Sequence, residues 1–517
     1  MTKEKNVAAA EPQELKRGIK GWQTAFIGLG GVIGSCYFLG VGWCIQVMGP
    51  SVFFAFTVVG VIVFGLMISY AELLVNLPRK GTFVAYTNEF LGPTLSVGMG
   101  WSFWFNWVCY CPSEAIAVSY ALQAITGNTS PVAYVAFAVG TMAALTIINM
   151  AAVDIFAKIE SGLAITKVII IILFVLVAFG IWIGLWGNPQ GELVGMVEDG
   201  FKGMGVNFGD GAGIYHDLFP NGFAVVLVLM TVVLVTFQGT EIVGLAAAES
   251  QNPDVSVPRA CRSVTYRIVG LYLVPIIMVI LVFPTAWATD ERPVFADVMS
   301  AYGFGGLSYV FLAVVMVAAF SCGNTGFYGT VRCMYGLSVE GLAPKFLSKL
   351  SKNAAPKRAV LFTLAFMWAV LMIGLISELT GFLSNLYGSL LSMSGFTGTL
   401  AWVGIIWSQK RMRSRLKANG YDPETCLKAR VKKSMSWIPW FAMFAQLACL
   451  IMLGLGDILD PEGNAGGGIV IFSIATSAVV IPMIVYRILR AKGKVRTIEA
   501  LGHDEKTFDE TFPPLNK

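Results

Sequence analysis

Histidine is nearly absent from this 517-residue chain, which has only His216 and His503. That excludes a metal site built on several imidazoles. Charge is scarce as well: charged residues make up 13% of the chain against 56% hydrophobic, and the mean hydropathy is +0.71. A soluble domain with a large core does not have that balance; a polytopic membrane protein does. Cysteine is present but unpatterned. Cys36, Cys44, Cys109, Cys111, Cys261, Cys322, Cys333, Cys426 and Cys449 lie mostly in apolar runs, with neither metal-ligand spacing nor a disulfide framework. No HExxH and no Gly-x-Ser-x-Gly occurs, which argues against a membrane-embedded hydrolase. No cleavable signal peptide is visible, because about twenty polar residues precede the first apolar run and no small-residue cleavage site follows it. Neither a cofactor nor a metal is expected.

What the chain has in abundance is spanning-length apolar runs. About a dozen are predicted, approximately at 22–47, 51–75, 95–126, 132–152, 160–187, 221–247, 264–287, 303–338, 357–377, 381–408, 435–456 and 467–489. Lys and Arg alternate along this series. They occupy the N-terminal segment (Lys3, Lys5, Lys16, Arg17, Lys20), every second loop and the stretch from Arg487 onward, whereas the intervening loops hold only Lys202 and Arg292. The bias predicts an even number of spans with both termini cytoplasmic. The net charge of +5 is then a matter of topology and gives no reason to expect nucleic acid. The chain is expected to divide into a polar tail over 1–20, a core of ten spans over 21–410, a basic loop with two further helices over 411–490, and a C-terminal tail over 491–517. The Gly-rich acidic stretch from Asn188 to Pro220 links the fifth and sixth spans, either as a solvated linker or as a collector of cations.

Two apolar segments are broken at their middles. GVIGSCYFLG (Gly31 to Gly40) follows Gly28 and Gly30, and TFQGTEIVGLAAAES (Thr236 to Ser250) holds Glu241 and Glu249 in an apolar run. Backbone unwound at membrane depth is tolerated only where it lines a cavity or meets a ligand. A matched pair of interrupted helices in two halves of a chain marks a secondary transporter with inverted repeats. The alternative is that the glycines only allow close helix packing. A zwitterionic amino acid needs donors for its carboxylate and acceptors for its ammonium. The amides and positive dipole end near Ile33, Gly34 and Ser35 supply the first, and carbonyls over Phe237, Gln238, Gly239, Thr240 and Glu241 supply the second.

Several polar groups inside the apolar spans also need explanation. Glu114 follows Pro112 and either faces the substrate or makes a helix–helix hydrogen bond. Glu241, in the broken segment, is a candidate for substrate or proton binding. Glu249 either gates the cytoplasmic side through Arg259 or Arg262 or is structural. Lys167 lies in TKVIIIILF and either reaches the space between the first, fifth and eighth spans or snorkels. Glu72 and Glu160 are expected to be structural, and Arg267 and Arg332 to snorkel. Ser321 and Asn324 share one helix face and either line the pocket beside Lys167 or bond neighbouring helices.

The motifs resemble amino acid permeases of the amino acid–polyamine–organocation superfamily. The resemblance rests on GVIGSCYFLG with Gly49-Pro50, on AEL (Ala71 to Leu73), and on WSFWFNW (Trp101 to Trp107) with Pro112-Ser113-Glu114. Further along it rests on LFPNGF (Leu218 to Phe223), FQGTEIVGLAAAES, Asn252-Pro253, and GLAPK (Gly341 to Lys345) after Arg332. It covers roughly residues 15–415, and its most specific string is the sixth-span motif. It implies an all-α polytopic fold with a five-plus-five inverted repeat and two extra C-terminal helices. It also implies import of an amino acid with protons as the coupling ion. By the same resemblance, Lys167 stands in for a sodium ion and Phe237 is an aromatic lid. One departure is Cys36, where the family usually has Gly; a side chain there narrows access to the backbone. Rival expectations are an exchanger, a carrier of polyamines or γ-aminobutyrate, and a transporter-like sensor, against which the short tails argue. The length suits a bacterial inner-membrane member.

Overall fold

The computed structural model describes residues 32–79, 82–150, 153–194, 218–242, 268–289, 291–351, 356–382, 385–461, 468–495 and 506–515. Among them the regular elements are all helical. A π turn at Cys36–Gly40 runs into α1 (Val41–Met48), followed by α2 (Val52–Asn76), α3 (Thr82–Leu91), α4 (Pro93–Thr126), α5 (Pro131–Met150) and α6 (Val153–Trp182). Then come α7 (Gly222–Val235), a π turn at Ile268–Leu273 with α8 (Val274–Val282), α9 (Val294–Ala301), α10 (Gly305–Val339) and α11 (Lys357–Leu379). The remainder is α12 (Leu386–Ala418), α13 (Trp437–Gly454), α14 (Ile469–Ala491) and the short α15 (Phe508–Thr511).

Eight stretches of the described residues are long and apolar enough to cross a membrane, and Gly222–Val235 and Gly270–Val282 are shorter apolar helices. The stretch Cys36–Asn76 counts as one of the eight at 41 residues. At 1.5 Å per residue it is roughly 60 Å long, about twice the hydrocarbon thickness. It turns at Gly49, where φ is +61° and a Cβ would meet the Pro220 ring at 2.7 Å. Pro50 then starts the next turn, at a position where its missing N–H costs nothing. α4 begins on Pro93 and ends at Gly127 in the left-handed region, whose N–H bonds back to Gln123.

The long helices α4, α10 and α12 form the centre, with α4 packed most extensively on the other two. Small residues permit the approach. Gly326 of α10 faces the Trp107 ring, and Gly395 of α12 lies on the Thr231 carbonyl of α7. The outer helices α6, α11 and α14 expose Ile169, Ile373 and Ile481, the surface a bilayer covers.

Three features differ from the sequence reading. The basic stretch after the tenth expected span begins as helix rather than loop, since α12 continues to Ala418 and carries Lys410, Arg411, Arg413, Arg415 and Lys417. A domain boundary at 410 therefore falls inside a helix. Residues 82–91, which fall in the expected connection between the second and third spans, form the separate helix α3. Within the expected C-terminal tail, residues 506–515 pack against the helical body. None of the eight described cysteines is in a disulfide.

Candidate functional site

In the first glycine-rich segment the described residues begin at Val32, and the helix starts just after Gly34. Gly34 precedes the helix, and the Ser35 N–H is its first free amide. That amide donates to both oxygens of the Glu114 carboxylate, at 3.2 and 3.0 Å. Glu114 comes from the middle of α4 and is wholly buried. The Ser35 hydroxyl meets the Tyr387 hydroxyl of α12 at 3.1 Å. Gly34 is required by space, because a Cβ there would stand 2.7 Å from both the Tyr110 hydroxyl and the Cys322 thiol and would run into Glu114 Oε1. Ile33 is buried at the entry to this turn. The narrowing expected from Cys36 comes instead from Glu114. The Cys36 thiol lies 3.8 Å from the Val232 carbonyl of α7, so its contact is with the neighbouring helix.

The second broken segment leaves α7 through tightened turns. Thr236, Phe237 and Gln238 each bond three residues back, and Gly239 then takes φ +100°. That value suits glycine and strains other residues. The Gly239 N–H donates to Glu241 at 3.2 and 3.1 Å, and the Trp402 indole N–H donates to the same carboxylate at 3.0 Å. Glu241 thus holds the unwound turn against α12. Thr240 donates to the Phe237 carbonyl at 2.5 Å. The Phe237 ring stacks on Tyr272, with centroids 4.3 Å apart, and Tyr37 meets Tyr272 edge-on at 4.7 Å. The aromatic rings of the two breaks therefore share one cluster.

Lys167 is completely buried, and its ammonium donates to Ser321 on α10 at 2.8 Å. This excludes the snorkelling alternative, since a snorkelling lysine keeps its head in water. Asn324 is buried with its side-chain carbonyl oxygen unpartnered. Glu72 is also wholly buried and accepts from Gln409, Arg413 and the Val431 amide, a structural clamp between α2, α12 and the segment after it. Arg332 lays its guanidinium 4.0 Å over the Tyr328 ring rather than extending outward. Glu249, Arg259, Arg262 and Arg267 lie outside the described residues, as does the side chain of Glu160. Among the described residues no group of three or more His, Cys, Asp or Glu could hold a metal.

Sequence reasoning did not single out Tyr110, Tyr387 or Trp402, and of Gln238 it used only the main-chain carbonyl. Gln238 bonds Ser394 of α12 through both ends of its amide, at 3.3 and 3.2 Å. Their polar tips in apolar spans are the only advance signal, and many other residues carry it too.

These features are those of an integral membrane protein with polar, broken backbone held inside a helical core. The chain belongs to the amino acid permease family, which matches residues 23–499. It is 30% identical over 426 residues to the lysine-specific permease of Lactococcus lactis, covering 79% of this chain and 78% of that one. It is 29% identical over 474 residues to the γ-aminobutyric acid permease of Bacillus subtilis, covering 92% and 94%. To a D-serine/D-alanine/glycine transporter of Escherichia coli it is 30% identical over 356 residues, covering 69% and 72%.

Proposed function

We propose that this protein imports amino acids across a bacterial inner membrane by proton symport. The proposed architecture is twelve spans, with a five-plus-five inverted repeat, two further helices, and both termini cytoplasmic. The substrate reading is supported by the family and by relatives named for lysine, γ-aminobutyrate and D-serine, all of which carry an amino and a carboxyl group. The residues proposed to form the substrate site are Ile33, Gly34, Ser35, Cys36, Glu114, Phe237, Gly239, Thr240 and Glu241. Ser321 and Asn324 line the pocket, and Lys167, Glu241 and Glu249 serve proton coupling.

The observation that carries proton coupling is the buried Lys167–Ser321 pair. A fixed ammonium between helices does the work of a bound sodium ion when charged and releases its partners when neutral. In sealed proteoliposomes, uptake should proceed without sodium and collapse when the proton gradient is dissipated. Lys167→Ala should lose accumulation at least about tenfold while substrate binding changes much less. Strict sodium dependence overturns the mechanism, and counterflow without a pH gradient separates exchange from symport.

A further inference from the structure

One carboxylate already sits where the transport reading needs another. Both Glu114 oxygens lie on the Ser35 amide, the first donor of the helix after the break. A helix start of this kind is a ready-made site for an anion. Here the protein supplies the anion itself, from a side chain that is wholly buried. The surroundings leave little room for a second one, because the Tyr110 hydroxyl and the Cys322 thiol crowd Gly34 from α4 and α10. On the same side, Gly323 of α10 packs against the stem of Glu114, a Cβ there lying 3.7 Å from Glu114 Cβ. The next residue, Asn324, offers a buried carbonyl oxygen with no partner, an acceptor suited to an ammonium group. The donor that a substrate carboxylate would use at this helix start is thus already occupied.

We propose that Glu114 is an internal stand-in for the substrate carboxylate. It holds the Ser35 amide until a free amino acid displaces it. Two carboxylates cannot share one amide in a low-dielectric interior, since like charges at contact distance repel strongly there. Substrates with a free carboxylate are therefore bound in competition with Glu114, and the side chain sets how much affinity such substrates must bring. Analogues in which the carboxylate is a neutral carboxamide bring no second negative charge and are much less sensitive to Glu114. The proposal rests on the transport reading above.

The test uses the full chain and three pairs of probes: L-lysine and L-lysinamide, γ-aminobutyrate and its carboxamide, D-serine and D-serinamide. Binding to purified wild type, Glu114→Ala and Glu114→Gln is measured by calorimetry, and accumulation by wild type is measured in proteoliposomes. For the acid that wild type accumulates, Glu114→Ala should bind at least about tenfold tighter, with the affinity for its carboxamide changing by less than about threefold. Glu114→Gln keeps the size and one acceptor and should shift the acid in the same direction, which preserves the test if the alanine variant does not fold. Weaker or unchanged acid binding in the variants, or equal shifts for acid and carboxamide, overturns the proposal. Failure of wild type to accumulate any of the three acids overturns the transport reading instead.

Discussion

At the scale of single residues, the buried carboxylates have different tasks. Glu72 is matched by Arg413 at 2.7 Å and by further donors from α12 and Val431, so it ties elements together. Glu241 is bonded to the turn it belongs to and to Trp402. Removing its charge weakens two charge-assisted bonds at the one place where α7 is unwound. We therefore expect Glu241→Gln to abolish or severely reduce uptake while the protein remains inserted and folded. Transport assays with a surface-expression control check this, and near-normal uptake at intact expression would falsify the role given to Glu241. Glu241 and Lys167 stood out in the sequence, because each is a costly group in an apolar run. Their partners did not. Nothing in the order of residues joins Lys167 to Ser321, 154 positions away, or Glu241 to Trp402, 161 positions away.

At the scale of elements, glycine does two different jobs, and the sequence does not distinguish them. Gly239 takes a positive φ where the chain unwinds, while Gly326 stays helical and only makes room. Gly326 lies against the face of the buried Trp107, so an added methyl overlaps the ring. The indole is wedged between α4 and α10 and cannot step aside cheaply. Gly326→Ala is expected to cost about 1–3 kcal/mol through overpacking, more than the helix propensity it gains. A clear drop in melting temperature of the detergent-solubilised protein is the expected outcome, and an unchanged or raised value would show that the helices can separate freely. The helix start at Gly34 lies at the end of a run of glycines visible in the sequence. What occupies it, Glu114 with Tyr110 and Cys322 around it, depends on where α4 and α10 cross.

At the scale of the whole molecule, the last described segment draws distant parts together. Phe508 is fully buried, its N–H donates to Glu89 at 2.6 Å, and Arg79 bonds both Glu89 and the Lys506 carbonyl. On the other side Arg415 pairs with Asp509 at 2.8 Å, and Asn419 donates to the Phe512 carbonyl at 2.7 Å. Thr507 and Glu510 form a capping box that starts α15. The segment therefore joins the end of α2, α3 and the end of α12. Truncating its one buried ring should cost about 3–5 kcal/mol locally, enough to detach so short an element. Phe508→Ala should accelerate tryptic cleavage at Lys506 by about tenfold or more, read by limited proteolysis of the purified protein. Unchanged cleavage would mean that the polar contacts hold the segment without the ring.

Composition and periodicity sufficed to establish a polytopic helical membrane protein, the glycines that interrupt two of its apolar segments, and which charges inside the apolar spans need explaining. Those are consequences of local chemistry: apolar length, scarce charge, and glycine where backbone must unwind. The tertiary structure alone decided which donor each carboxylate meets, that Cys36 turns toward α7, and that residues 506–515 fold back onto α3 and α12. Such pairings depend on how helices far apart in sequence cross, and in an apolar solvent many faces of a helix look alike until packing selects one.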